Sequence, residues 1–120
     1  MQIEFPWPPK TLSPNARVHW AKKSKAAKSY RGECYILTKQ AGLKIDWDGD
    51  IHAWIDFYPP DRRRRDDDNM VSSFKSGRDG MADALRIDDS RIRIHPYVNS
   101  ATGGKIVVTL TAGPVQDKNN

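Results

Sequence analysis

The chain has 120 residues with 20 Lys/Arg, 15 Asp/Glu and one cysteine, for a formal charge of +5. One domain is expected at this length, and the lone Cys34 excludes an internal disulfide. No apolar run approaches the roughly 18 residues of a membrane span, and the first residues lack the basic-then-apolar form of a signal peptide, so a cytoplasmic protein with no membrane partner is expected.

In chain order, "MQIEFPW" reads as a short strand ended by the prolines of "PWPPKTLSP". A turn-rich loop follows. From about Val18 to Ala41 apolar positions recur at three and four (Ala27, Tyr30, Cys34, Leu37, Ala41), the stripe of a core-facing helix, and Gly42 is its expected stop. "DIHAWIDFY" alternates, with Ile51, Ala53, Ile55 and Phe57 on one face. Asn69 to Arg86 is helical again, with Met70, Phe74, Gly77, Met81 and Ala84 or Leu85 in one stripe. Gly77 and Gly80 within it predict close packing or a broken helix. "RIRIHPYV" and "KIVVTLT" read as strands of a hairpin turning at "NSATGG", and Pro96 places the first at an edge. The tail from about 113 to 120 is expected to fray. The order β-α-β-α-β-β describes a single α+β domain, a small mixed sheet packed with two helices.

Charge is unevenly placed. Residues 1–44 hold nine Lys/Arg against two Glu, giving +7, and residues 45–90 hold twelve Asp against seven Lys/Arg, giving −5. A basic first third, with Arg17, Lys22, Lys23 and Lys25, suits a phosphate backbone. The densest charge of both signs lies in "PPDRRRRDDDNM", residues 59–70. If the segment is extended, Asp66 and Asp68 share a face roughly 7 Å apart, a spacing that one or two Mg²⁺ ions would bridge. The plainer roles are structural: Asp68 or Asn69 as a helix cap, alternate arginines paired with Asp61 or the neighbouring aspartates, and Asp88-Asp89-Ser90 as a polar turn. The helix between the two acidic clusters, some 25 Å if straight, separates Asp89 from Asp66 unless it bends.

Other metal patterns fail. "DWDGD" at 46–50 lacks the glycine and the final glutamate of a calcium loop. His19, His52 and His95 are scattered without a zinc spacing, and Cys34 belongs to the apolar stripe.

The run "RRRRDDDN", with Lys75, Asp79 and "DALRIDDS" downstream and "PWPPK" at the start, resembles the RusA family of Holliday-junction resolvases over nearly the whole chain. That resemblance implies a homodimeric, Mg²⁺-dependent endodeoxyribonuclease, with Mn²⁺ able to substitute, that resolves four-way DNA junctions by paired nicks in recombination and repair. The ends left would be 5′-phosphates. It implies Asp66, Asp68 and Asp89 as catalytic metal ligands and Lys75 as the catalytic lysine. The family lysine stands where this chain has Ser72, so Lys75 is assigned across a three-residue insertion. Arg62, Arg63, Arg64 and Arg65, with Arg17, Lys22, Lys23 and Lys25, would bind DNA and offset the repulsion between phosphates and the acidic site. Two alternatives follow from the same residues: a nucleic-acid or junction binder that does not cleave, and a related Mg²⁺ nuclease for flaps or forks.

Overall fold

The computed structural model describes residues 1–113; the tail expected to fray from about 113 to 120 lies, apart from Gly113, outside them. Strand β1 spans Gln2–Pro6, helix α1 Trp20–Ala41, β2 Ile51–Tyr58, α2 Asp67–Ser73, α3 Lys75–Leu85, β3 Ile92–Val98 and β4 Lys105–Thr111. Single 3-10 turns at Lys10–Leu12 and Asp89–Arg91 complete the chain. The α+β class holds.

Helix α1 starts where His19 Nδ1 accepts the Ala21 N–H and stops at Gly42, whose φ of 67° is open to glycine without strain. Its buried stripe is Tyr30, Cys34 and Thr38, so the periodicity is right, although Ala41 is exposed. The alternation of β2 is fully realised: Ile51, Ala53, Ile55 and Phe57 are buried against the helices. With Ile3, Phe5, Ile106, Val108 and Leu110 they form a sheet face on which Phe74 and Met81 pack. Burying each such large side chain contributes about 1.5–3 kcal/mol.

The second helical segment is bent at Phe74, which separates α2 from α3. Phe74 is 1% exposed and meets the rings of Phe5, Tyr30 and Phe57. The glycines serve close packing rather than the break. Gly80 faces the Arg31 carbonyl of α1, and Gly77 faces the Tyr30 and Phe74 rings. Arg31 clamps the same contact from outside by a forked pair to Asp83, at 2.7 and 3.0 Å.

The expected hairpin is not formed. The sheet order is β1-β4-β2-β3. β3 pairs parallel with β2, Ile51 opposite Ile92 and Phe57 opposite Val98. β4 lies on the other side of β2, antiparallel to both β2 and β1. The chain after β3 therefore crosses the end of β2. Gly103 donates its N–H to Pro59 O (2.9 Å) and Gly104, at φ 72°, donates to Tyr58 O (2.8 Å). Pro96 does sit on an edge strand, as its missing N–H requires. The sheet's other face, with the half-buried His52, Trp54 and Tyr58, is covered by no helix among the described residues.

Candidate nucleic-acid interface and acidic site

After β2, Pro59 is buried and the chain leaves the sheet into the charged segment. Asp61 organises it. Its Oδ1 accepts the Arg63 backbone N–H (2.9 Å) and the Arg65 guanidinium (2.9 Å), and its Oδ2 lies 3.3 Å from Arg63 Nε. The Arg65 hydrogen bond first, and the Arg63 backbone second, hold the Asp61 carboxyl down at about 2. Arg65 also donates to the Asp61 and Arg63 carbonyls and lies 5.8 Å over the Trp7 ring, which leaves its side chain only 11% exposed. Among the described residues, Arg62 and Arg64 have no such partner. Arg63 and Arg65 thus both pair with Asp61 and shape the loop, but only Arg65 is sheltered; the Arg63 side chain is 72% exposed, and its unpaired neighbours Arg62 and Arg64 are exposed as well.

The acids that follow are not extended together. Asp66 is extended (φ −104°, ψ 158°) and caps α2 itself, where Asp68 or Asn69 had been expected to do so. Asn69 donates its backbone N–H to Asp66 Oδ1 (2.9 Å) and its amide to Oδ2 (3.1 Å). Asp67 and Asp68 already belong to the first helical turn, exposed, where carboxylates favour the helix dipole. The shared-face geometry expected for Asp66 and Asp68 is therefore replaced by a cap and a helix turn.

Asp89 lies at the other end of the sheet. Parallel pairing puts the start of β3 beside the start of β2, and Arg91 fixes this end by donating to Gly49 O (2.8 Å) and Trp47 O (2.6 Å). Asp66 follows the far end of β2. Seven residue steps of strand at about 3.3 Å separate the two ends by roughly 23 Å. Neighbouring Asp88 caps the 3-10 turn, and the Ser90 N–H lowers its carboxyl below the usual range. No group of three or more His, Cys, Asp or Glu among the described residues is placed to hold a metal ion. A divalent ion needs oxygen ligands within about 2–2.6 Å, so Asp66, Asp68 and Asp89 of one chain do not fit one.

Lys75 opens α3, and its ammonium is 2.7 Å from Asp79 Oδ1 on the next turn. Ser72 is exposed on α2. Of the basic residues ahead of the loop, Lys23 donates to Ser13 O (3.3 Å), while Arg17, Lys22 and Lys25 are exposed.

The histidines are less scattered than their spacing suggests. The β2–β3 register brings His52 Nδ1 to 2.8 Å from His95 Nε2, and Trp54 stacks on His95 at 4.0 Å between ring centroids. Burial first, then the neighbouring His52, lowers the pKa of His95. The polar face of β2 carried part of this signal; the parallel pairing that completes it did not show. Cys34 is fully buried, and burial pushes its thiol up to about 12, which suits packing rather than nucleophilic chemistry.

No protein-family model matches the chain. An uncharacterized protein of Xylella fastidiosa (strain Temecula1) is 46% identical over 123 residues, an alignment covering 98% of this chain and 80% of that protein.

Proposed function

We propose, for a chain that belongs to one family with this Xylella fastidiosa protein, that it is a divalent-metal-dependent endonuclease of branched DNA, resembling the RusA junction resolvases. The observation that carries the reading is the charged segment in three dimensions. An arginine loop anchored by Asp61 presents Arg62 and Arg64 outward, and it runs directly into the Asp66–Asn69 clamp at the start of α2. Cations on a loop held by Asp61 would position phosphates, and acids beside them mark where a backbone could be cut. Mg²⁺, or Mn²⁺ in its place, is the ion the oxygen donors suit.

A single chain does not gather the three aspartates, so the reading requires a homodimer. Asp66 and Asp68 stand at one end of the β2–β3 pair and Asp89 at the other. A two-fold arrangement that sets these ends against each other's opposites would create two equivalent acidic sites, one for each DNA backbone to be nicked. The protein's own groups then have separate tasks. Arg62 and Arg64, with Arg17, Lys22 and Lys25 further out, bind and orient phosphates. Lys75, once released from Asp79, brings a compact positive charge toward the cut.

The test is cleavage of a synthetic four-way junction in Mg²⁺ against EDTA, with a linear duplex as control. Paired nicks with 5′-phosphate ends, abolished by EDTA while binding persists, are expected. Mixing Asp66→Asn chains with Asp89→Asn chains should recover part of the activity that each lacks alone, because one site of the mixed dimer is intact. A second reading is favoured by the separation of the acids and by the Lys75–Asp79 pair: a branched-DNA binder without cleavage. Junction binding with no cut in Mg²⁺ or Mn²⁺ would establish that reading and overturn the first.

A further inference from the structure

The arginine loop is a ridge between two grooves of similar size. One, of about 550 Å³, opens toward the N-terminal segment and is lined by Ser13, Asn15, Asp66 and Asn69. The other, of about 570 Å³, opens toward the end of β3 and is lined by Pro59, Val98, Asn99 and Ser100. Arg63, Arg64 and Arg65 border both, while Arg62 lines the second and not the first. The grooves differ in charge. The first contains the Asp66 carboxylate. The acid in the second is Asp61, already neutralised by Arg63 and Arg65.

The second groove is also short of acceptors. Arg62 and Arg64 have no hydrogen bond or ion pair among the described residues, and the buried Asn99 Nδ2 has no acceptor. A buried amide left unpaired costs about 1–3 kcal/mol, a cost that an incoming hydrogen-bond acceptor would offset. Guanidinium and amide donors, beside a carboxylate already paired with Arg63 and Arg65, match a phosphodiester, which offers only acceptors.

We infer that this second groove binds a phosphodiester backbone distinct from the one beside Asp66, so that the ridge holds two diverging backbones and selects branched over linear DNA. The inference rests on the reading that the substrate is DNA, and it names the feature of that DNA which is recognised. A continuous duplex can lie along one side of the ridge. A branch point presents backbones to both sides, and only then are Arg62 and Asn99 engaged.

Fluorescence anisotropy in EDTA tests this with a labelled four-way junction and a linear duplex of equal length, titrated at several salt concentrations. Arg62→Ala should weaken junction binding roughly tenfold, since a hydrogen bond to a charged group is lost. The junction salt slope should fall by about one, with little change on the duplex. Asn99→Ala should act in the same direction, and Arg62→Lys should recover part of the loss; thermal melting of each variant checks that it is folded. Equal losses on both substrates, or none on the junction, would overturn the inference even if cleavage in Mg²⁺ is intact. Branch-selective losses in a protein that never cleaves would uphold it while the endonuclease reading falls. A parent protein that binds neither DNA overturns both.

Discussion

Replacing Gly80 by alanine should destabilise the protein, although alanine is the better helix former. Propensity alone favours the substitution by about 0.8–1.0 kcal/mol. The new Cβ, however, would sit well inside van der Waals contact with the Arg31 carbonyl oxygen of α1, 3.0 Å from its carbonyl carbon and 3.1 Å from Tyr35 N. Ordinary carbon–oxygen approaches are about 3.3–3.6 Å, so α3 would have to withdraw by on the order of an ångström. No rotamer can relieve a clash with backbone. The withdrawal would also loosen Met81 and the Arg31–Asp83 fork. Overpacking costs about 1–3 kcal/mol, and a clash with backbone lies at the upper end of that range, which leaves a net loss of about 2 kcal/mol after the propensity gain. The internal control is Gly32 on the exposed side of α1, where nothing lies within 4 Å of the added Cβ. Gly32→Ala should stabilise by up to about 1 kcal/mol. Urea unfolding gives both free energies. Thermal melting should show shifts of opposite sign, roughly 3–6 °C per kcal/mol at this size. A Gly80→Ala protein as stable as Gly32→Ala would refute the close approach of α1 and α3.

Asp66→Ala should lose about 0.5–2 kcal/mol of stability with the cap, whereas Asp66→Asn, which still caps, should stay near the parent in urea unfolding; equal losses would mean that Asp66 does not cap α2. Lys75→Ala should cost about 0.3–0.5 kcal/mol if its only work is the exposed pair with Asp79, so a large fall in junction cleavage without loss of binding would assign it to the reaction. His95 has a lowered pKa in the folded protein, so the unfolded chain binds the proton more readily. Stability should therefore be complete above about pH 6.5 and decline as pH falls below it, and His95→Gln should flatten that part of the curve. Asp61 contributes in a lower window: its stabilisation is full above about pH 4 and disappears as pH falls toward about 2, a step that Asp61→Asn removes.

The elements that were legible in the sequence are those governed by local rules. The period-two pattern of β2, the stripe through Tyr30 and Cys34, the Gly42 stop and the edge position of Pro96 all follow from residues near one another in the chain. Pairing partners did not follow. The six residues 99–104 look like a hairpin turn, yet they carry the chain across the end of β2. The segment between β2 and β3 contains two helices, and such a crossover joins parallel strands, whereas the short turn-rich loop after β3 imitates a hairpin. One error of pairing had two consequences. It hid the contact between His52 and His95, and it concealed that Asp89 lies at the opposite end of the sheet from Asp66. Within the charged loop, the pairing of arginines with Asp61 was legible because the residues are close in sequence. Asp66 took the cap because the helix starts one turn earlier than its apolar stripe.

The strand order bears on how the molecule is assembled in time. β1 pairs with β4 alone, Gln2 opposite Thr109, a contact spanning 107 positions of sequence. Neither partner of that ladder can be nucleated by a tight turn, and the loop closed is most of the chain. The parallel β2–β3 unit and the helix pair, by contrast, join segments much closer in sequence. Loop closure of such a span is unfavourable before its contacts form, which makes this strand the natural last arrival. Its amides should then exchange through openings smaller than global unfolding, ahead of those in β2, so that the edge beside Phe5 is the first seam along which the folded protein breathes.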